Sequence, residues 1–230
     1  MNQRNYQKEL EKILERIVGE KEQTGTVPTL FLHSCCAPCS SYVLKYLRDY
    51  FRITVFYYNP NISEQAEYRH RVQEQKRLIA IYNEQLTKGQ PGYTIQVVEG
   101  DYEPEKFFAF ATALKDVPEG GERCFRCFDL RLRKTAERAK QGGFDYFATT
   151  LTISPLKNAA KLNEIGEALG EEYGVSWLPS DFKKKNGYRQ SVELSAEYGL
   201  YRQDYCGCIY SKLERETHKT PCQTEGKPLR

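Results

Sequence analysis

The chain has 230 residues, a 40% hydrophobic share and a formal net charge of +3. That is enough for one compact domain with a sizeable core, and too balanced a charge to point to any partner by itself. No apolar run approaches the roughly 20 residues needed to cross a bilayer, so no membrane partner is expected. Met1 to Glu20 is polar and lacks the apolar stretch of a secretory signal. A cytoplasmic location is the expectation, and in that reducing compartment eight cysteines read as metal ligands or redox groups.

In chain order, an amphipathic helix with Leu10, Ile13, Leu14 and Ile17 on one face opens the sequence. Val27–Leu32 reads as a first strand and leads into Cys35-Cys36-Ala37-Pro38-Cys39 and a helix through Val43, Leu44 and Leu47. Ile53–Tyr58 is a second strand, ended by Asn59-Pro60-Asn61. Ser63 is placed to cap the next helix, which runs to about Leu86. Thr94–Val98 is a third strand, and a helix through Phe107 and Phe108 follows. After Pro118-Glu119-Gly120-Gly121, Cys124-Phe125-Arg126-Cys127 opens another helix. Phe144–Thr150 is a fourth strand, Ser154-Pro155 marks a helix start, and Val175–Leu178 is a fifth strand. Ser191–Tyr198 reads as helix and Cys206-Gly207-Cys208 as loop.

Strands alternating with helices imply an α/β fold: a doubly wound, mostly parallel five-stranded sheet, Rossmann-like, in a single domain. An order of 3-2-1-4-5 puts the first cysteine turn at the switch point, where such sheets bind ligands. The expected division is an N-terminal helical extension over 1–25, the α/β domain over 26–215 and a flexible tail over 216–230.

The cysteine spacing carries the chemistry. Cys35 and Cys36 are adjacent, Cys124 and Cys127 form a C-x-x-C, and Cys206 and Cys208 flank a glycine. Zinc needs four tetrahedral ligands, usually as two C-x-x-C-like pairs, and the adjacent pair does not fit that habit. A thiol–disulfide oxidoreductase needs one C-x-x-C and leaves the other pairs unexplained. An iron–sulfur cluster takes four thiolates with looser spacing, which Cys35, Cys36, Cys124 and Cys127 could supply. Cys206 and Cys208 would then stand beside it, as a redox-active dithiol/disulfide or as ligands of a second iron. Cys39 is a possible extra ligand, and Cys222 in the tail reads as incidental.

These segments, with Tyr58-Asn59-Pro60-Asn61-Ile62, Ser180-Asp181-Phe182-Lys183-Lys184 and Tyr201–Cys208, resemble the QueH family of epoxyqueuosine reductases over residues 28–212. The resemblance implies a fold related to pyrophosphatase-loop (HUP) proteins. It also implies an oxidoreductase of queuosine biosynthesis that converts epoxyqueuosine to queuosine at the tRNA wobble position. It implies a [4Fe–4S] cluster on Cys35, Cys36, Cys124 and Cys127, with Cys206 and Cys208 as redox pair or ligands of an adjacent mononuclear iron. Cys39 stands where some members carry Asp, which leaves the coordination of a second metal open.

Removing an epoxide oxygen takes two electrons and two protons, so an external one-electron donor is an expected partner. Asp181, Asp204 and Tyr205 are candidate proton donors. The tRNA anticodon loop is the expected nucleic-acid partner. Arg123, Arg126, Lys183 and Lys184 are candidate phosphate contacts, with Arg131, Arg133, Lys134, Arg138, Lys140, Lys157, Lys161 and Arg189 in the same basic runs. Tyr57, Tyr58, Tyr188, Tyr201 and Tyr205 could stack a base, and Asn59 and Asn61 could hydrogen-bond it. Two competing readings are an ATP-dependent tRNA thiolase and a zinc-stabilised RNA-binding module. The first needs a glycine-rich loop after strand one, a place that Cys35-Cys36-Ala37-Pro38 fills without a glycine.

Overall fold

The structure is a computed structural model and describes residues 4–219. Five strands, β1 (Thr29–His33), β2 (Arg52–Tyr57), β3 (Gln96–Glu99), β4 (Tyr146–Thr149) and β5 (Ser176–Trp177), form one sheet in the order β3-β2-β1-β4-β5. Every pairing is parallel, with Leu30 beside both Ile53 and Tyr146. Fold class and strand order are those expected from the alternation of strand and helix.

Alternation along β1 sorts its side chains into two cores. Leu30 and Leu32 join Val43, Leu44, Leu47, Val55, Leu78 and Tyr82 on one side. Phe31 joins Phe56, Phe128, Leu132, Phe147, Leu162 and Trp177 on the other. Helices α1 (Tyr6–Thr24), α2 (Ala37–Leu47), α3 (Gln65–Thr87) and α7 (Gly187–Glu197) contribute to the first core. Helices α5 (Glu122–Gln141) and α6 (Ala159–Tyr173) cover the second face, with α4 (Pro104–Ala111) beside α5. The apolar stripe of α1 is part of the main core: Leu10, Leu14 and Ile17 are all buried there. Gly166 lets α6 lie against β5, since a Cβ at that position would stand 2.3 Å from the Trp177 ring.

Three local expectations need correction. The helix α3 begins after Glu64, without a side-chain cap; Ser63 instead accepts the Ile209 N–H on its Oγ at 2.9 Å. The helix after β4 begins at Ala159 rather than at Ser154-Pro155, because Asn158 Oδ1 caps it by accepting the Lys161 N–H at 3.0 Å. A further helix, α8 (Ile209–Lys219), follows the last cysteine pair, where a loop running into the tail was expected. Cys222 lies outside the described residues. No helix among the described residues is long and apolar enough to cross a membrane.

Candidate metal centre

The turn after β1 carries three thiols into the switch point between β2 and β4. Cys36 is the first residue before α2, in extended conformation, and Pro38 sits in that helix's first turn. The helix geometry then brings Cys39 back beside the pair. The sulfurs of Cys35, Cys36 and Cys39 all lie within 4.8 Å of one another, with Cys35 and Cys36 at 3.8 Å. Cys36 and Cys39 both donate to the Cys35 sulfur and hold that thiol well below its ordinary range, with Lys157 adding to the effect. Cys36, as the donor, is pushed up to about 12.

These thiols line a cavity of about 430 Å³ with Arg71, Glu119, Arg131, Lys157, Tyr205 and Cys206. A narrower cleft adjoins it, lined by Cys124, Cys127, Cys206 and Cys208 and sharing Glu119, Arg131, Leu156 and Lys157 with the first. Cys124 and Cys127 reach it from the first turns of α5, as their spacing in the sequence suggests. Burial pushes the Cys127 thiol up to about 12. Cys208 donates to Cys206 and lowers that thiol strongly, helped by Lys157, Arg131 and Arg71. All seven cysteines of the described residues are free thiols.

The donor set fits a thiophilic metal. A tetrahedral ion with metal–sulfur bonds of about 2.3 Å holds two of its sulfurs about 3.8 Å apart, and Cys35 and Cys36 already stand at 3.8 Å. Among the described residues, Cys35, Cys36 and Cys39 are the one group of three or more His, Cys, Asp or Glu ligand atoms drawn this close. The expected set of Cys35, Cys36, Cys124 and Cys127 is spread over the two adjoining cavities.

Other expected residues divide in the same way. Asp204 and Tyr205 line the larger cavity. Asp181 is not among its lining residues and instead pairs with Lys183 at 2.7 Å. Asn61 lines the narrow cleft and donates to Cys206 Sγ at 3.6 Å. Asn59 is buried and donates to the Ser34 carbonyl at 2.8 Å, which fixes the turn after β1. Tyr57 and Tyr58 are core residues, the Tyr58 hydroxyl donating to Glu103 at 3.0 Å. Tyr201 donates to Glu67, while Tyr188 lines the cavity and is exposed.

The basic runs are less open than the sequence suggests. Arg123 is 1% exposed and donates to three backbone carbonyls and Glu214, so it faces into the fold rather than toward a phosphate. Arg131 is buried too. Arg126 pairs with Glu122, Arg133 with Asp129 and Glu172, and Lys134 with Glu137. Lys184 is exposed. The sequence reading missed Arg71, Glu119, Arg202 and Arg215 as cavity residues. Each comes from a different loop or helix, and no local spacing joins them.

The chain was compared with known proteins. The family model described as "Epoxyqueuosine reductase QueH" matches residues 30–214. A protein of that name from Streptococcus pyogenes serotype M1 is 43% identical over 201 residues, covering 87% of this chain and 77% of its own. One from Staphylococcus epidermidis is 39% identical over 214 residues, covering 92% and 88%. One from Thermotoga maritima is 37% identical over 190 residues, covering 81% and 92%.

Proposed function

The chain belongs to the epoxyqueuosine reductase QueH family, and from that premise we propose that it reduces epoxyqueuosine to queuosine in the tRNA anticodon loop with electrons from an iron–sulfur centre. The reaction adds two electrons and two protons to the epoxide and leaves an alkene and water. One observation carries this reading: seven thiols, from the turn after β1, the start of α5 and the turn before α8, line two adjoining cavities in a chain of this family.

Cys35, Cys36, Cys124 and Cys127 would hold a [4Fe–4S] cluster, with Cys206 and Cys208 beside it as dithiol or as ligands of a mononuclear iron. The close approach of Cys39 to Cys35 and Cys36 favours a second assignment, in which those three sulfurs share one ion. When bound, such a centre supplies electrons one at a time.

The chain's own residues do the rest. The cavity of about 430 Å³ is of the size that takes a small-molecule or nucleobase ligand. Asp204 and Tyr205 line it and would be the proton donors, whereas Asp181 pairs with Lys183. Leu156 and Tyr188 are exposed at 57% and 40% and line the same cavity. An exposed aromatic ring there offers a stacking surface for a base turned out of the anticodon loop. Arg202 and Arg215 line the cavity too and are the cations nearest to hand for the flanking phosphates.

Anaerobic preparation should give protein with bound iron and sulfide, absorbing near ~400 nm as clusters do, and turning over tRNA that carries epoxyqueuosine. The Cys208→Ser variant should lose turnover and keep the absorbance. A colourless, zinc-only protein without turnover would overturn the proposal.

A further inference from the structure

The sulfur-lined cavities hold a buried cation whose direct partners among the described residues are neutral. Arg131 is 1% exposed. Its Nε donates to the Cys127 carbonyl at 3.1 Å and its Nη1 reaches Asn59 Oδ1 at 3.5 Å. Its Nη2 is buried without a hydrogen-bond partner among the described residues. The guanidinium lines both cavities, among the sulfurs of Cys35, Cys124, Cys127 and Cys206, of which burial pushes the Cys124 and Cys127 thiols up, toward the neutral form. Lys157, half-buried in the loop before α6, lines both cavities too and faces Cys206, Cys35 and Cys39.

An arginine cannot shed its proton to escape such a place. A buried charge without a counter-charge costs several kcal/mol, so a fold that keeps one implies an anion that completes the site. Thiolates gathered on a metal are that kind of anion.

We propose that Arg131, with Lys157, is the counter-charge of an anionic metal–thiolate centre in these cavities and raises its reduction potential. The inference rests on the metal-centre reading given above. An electron entering the centre makes it more negative by one unit. A fixed positive charge stabilises the reduced form more than the oxidised form, so the centre accepts an electron from a weaker external one-electron donor. Arg131 acts through the centre and is a positioning residue in that sense. Its guanidinium and the ammonium of Lys157 need not touch the substrate.

The test is a redox titration, followed by visible absorbance and electron paramagnetic resonance, of anaerobically loaded wild type, Arg131→Met, Arg131→Lys and Lys157→Met. Iron and sulfide are counted in each. The Arg131→Met centre should be at least tenfold less reduced than wild type at a fixed potential, a shift of 59 mV for one electron. Arg131→Lys should keep most of the wild-type potential, because the charge is restored. Lys157→Met should shift in the same direction by less. Loaded variants with the wild-type potential overturn the inference and leave the metal reading intact. Should Arg131→Met fail to fold or load, Lys157→Met decides, and an unchanged potential there overturns it. A wild-type protein that takes up no iron overturns the metal reading and this inference with it.

Discussion

Arg123→Met separates a structural arginine from a phosphate-binding one. The Arg123 guanidinium donates to the carbonyls of Leu114 at 2.9 Å, Lys115 at 3.0 Å and Val117, and to Glu214 Oε1 at 3.1 Å. It also lies over the Tyr210 ring, 4.6 Å from the centroid. Methionine fills similar volume and removes every donor. Each orphaned carbonyl costs about 1–3 kcal/mol, and the turn over 114–117 is only partly buried, so the lower end applies. The Leu114 carbonyl keeps the Val117 N–H at 3.1 Å, so two carbonyls at about 1 kcal/mol each, with ~0.5–1 kcal/mol for the lost cation–π contact, give a loss of about 3 kcal/mol. A chain of this size converts that to a fall of roughly 6–12 °C in Tm. Glu214 is 37% exposed, so Glu214→Gln should cost no more than ~1 kcal/mol. Urea unfolding measures both. Where Arg123→Met stays folded, the slope of log affinity for tRNA against log salt should match wild type. A phosphate contact would instead lower that slope by about 0.9. A stability loss under ~1 kcal/mol with a lowered slope would refute the structural assignment.

Gly207 has φ +114°, and a Cβ there would meet Ile62 Cγ1 at 2.8 Å and Arg71 Nη1 at 3.3 Å. Gly207→Ala should therefore displace Cys206 and Cys208 and cut turnover at least tenfold, with ~1–2 kcal/mol of lost stability; wild-type kcat would count against a turn held this tightly. Glu74 is held below its ordinary carboxylate range by Arg77, with the Tyr201 N–H at 2.9 Å adding to this. Because its folded value is depressed, its stabilisation is complete above the ordinary value of 4.5 and fades as pH falls through the folded one. The protection factor of the Tyr201 amide, its exchange rate corrected for the intrinsic pH dependence, should fall on acidification in wild type and be low already at neutral pH in Glu74→Gln. Equal exchange in the two would deny that link. Metal removal with a chelator should leave cooperative unfolding in place, since the buried members of the two apolar cores include no cysteine and Cys35, Cys39 and Cys124 only pack against them. An apo protein that melts without a transition would show that metal and fold are coupled.

The sheet order was legible because each strand is an apolar run bounded by breaks, and the sulfur turn after β1 replaces the glycines of a phosphate loop. Local chemistry at element ends was less legible. Ser63, Ser154 and Asn158 are all competent caps, and only packing decides among them: Ser63 is taken by the Ile209 N–H, and Asn158 caps α6. The helix α8 was hidden because it follows a cysteine turn and merges into a polar tail, although Ile209 and Leu213 carry a weak helical spacing. The run of cations on α5 misled for a related reason. A sequence shows where charges lie along a helix but not the carboxylates that neutralise them from neighbouring turns or from α6, as Glu172 does for Arg133. The same ignorance of the third dimension concealed Arg71, which comes from the second turn of α3 to donate to the Cys206 carbonyl at 3.2 Å.

That last bond is part of a wider arrangement around Cys206-Gly207-Cys208. The Ser63 N–H donates to the Gly207 carbonyl at 3.1 Å, and the Cys206 N–H to Ser211 Oγ at 3.2 Å. Ser211 Oγ in turn donates to Glu119 at 3.1 Å. The contacts of Arg71, Ser63 and Ser211 grip the backbone of the turn, Glu119 holds Ser211 from behind, and none of these bonds uses a sulfur. The turn is thus shaped by α3, α8 and the loop before α5, while its two thiols stay directed into the cleft. A site built this way pays its ordering entropy during folding rather than at metal uptake. It also explains why Arg123 matters at a distance: by fixing Glu214 it holds α8, and α8 carries Ser211 to the turn. Loosening α8 should therefore disturb the last cysteine pair while leaving Cys35, Cys36 and Cys39 in place, because their turn is fixed independently by Asn59 on the Ser34 carbonyl.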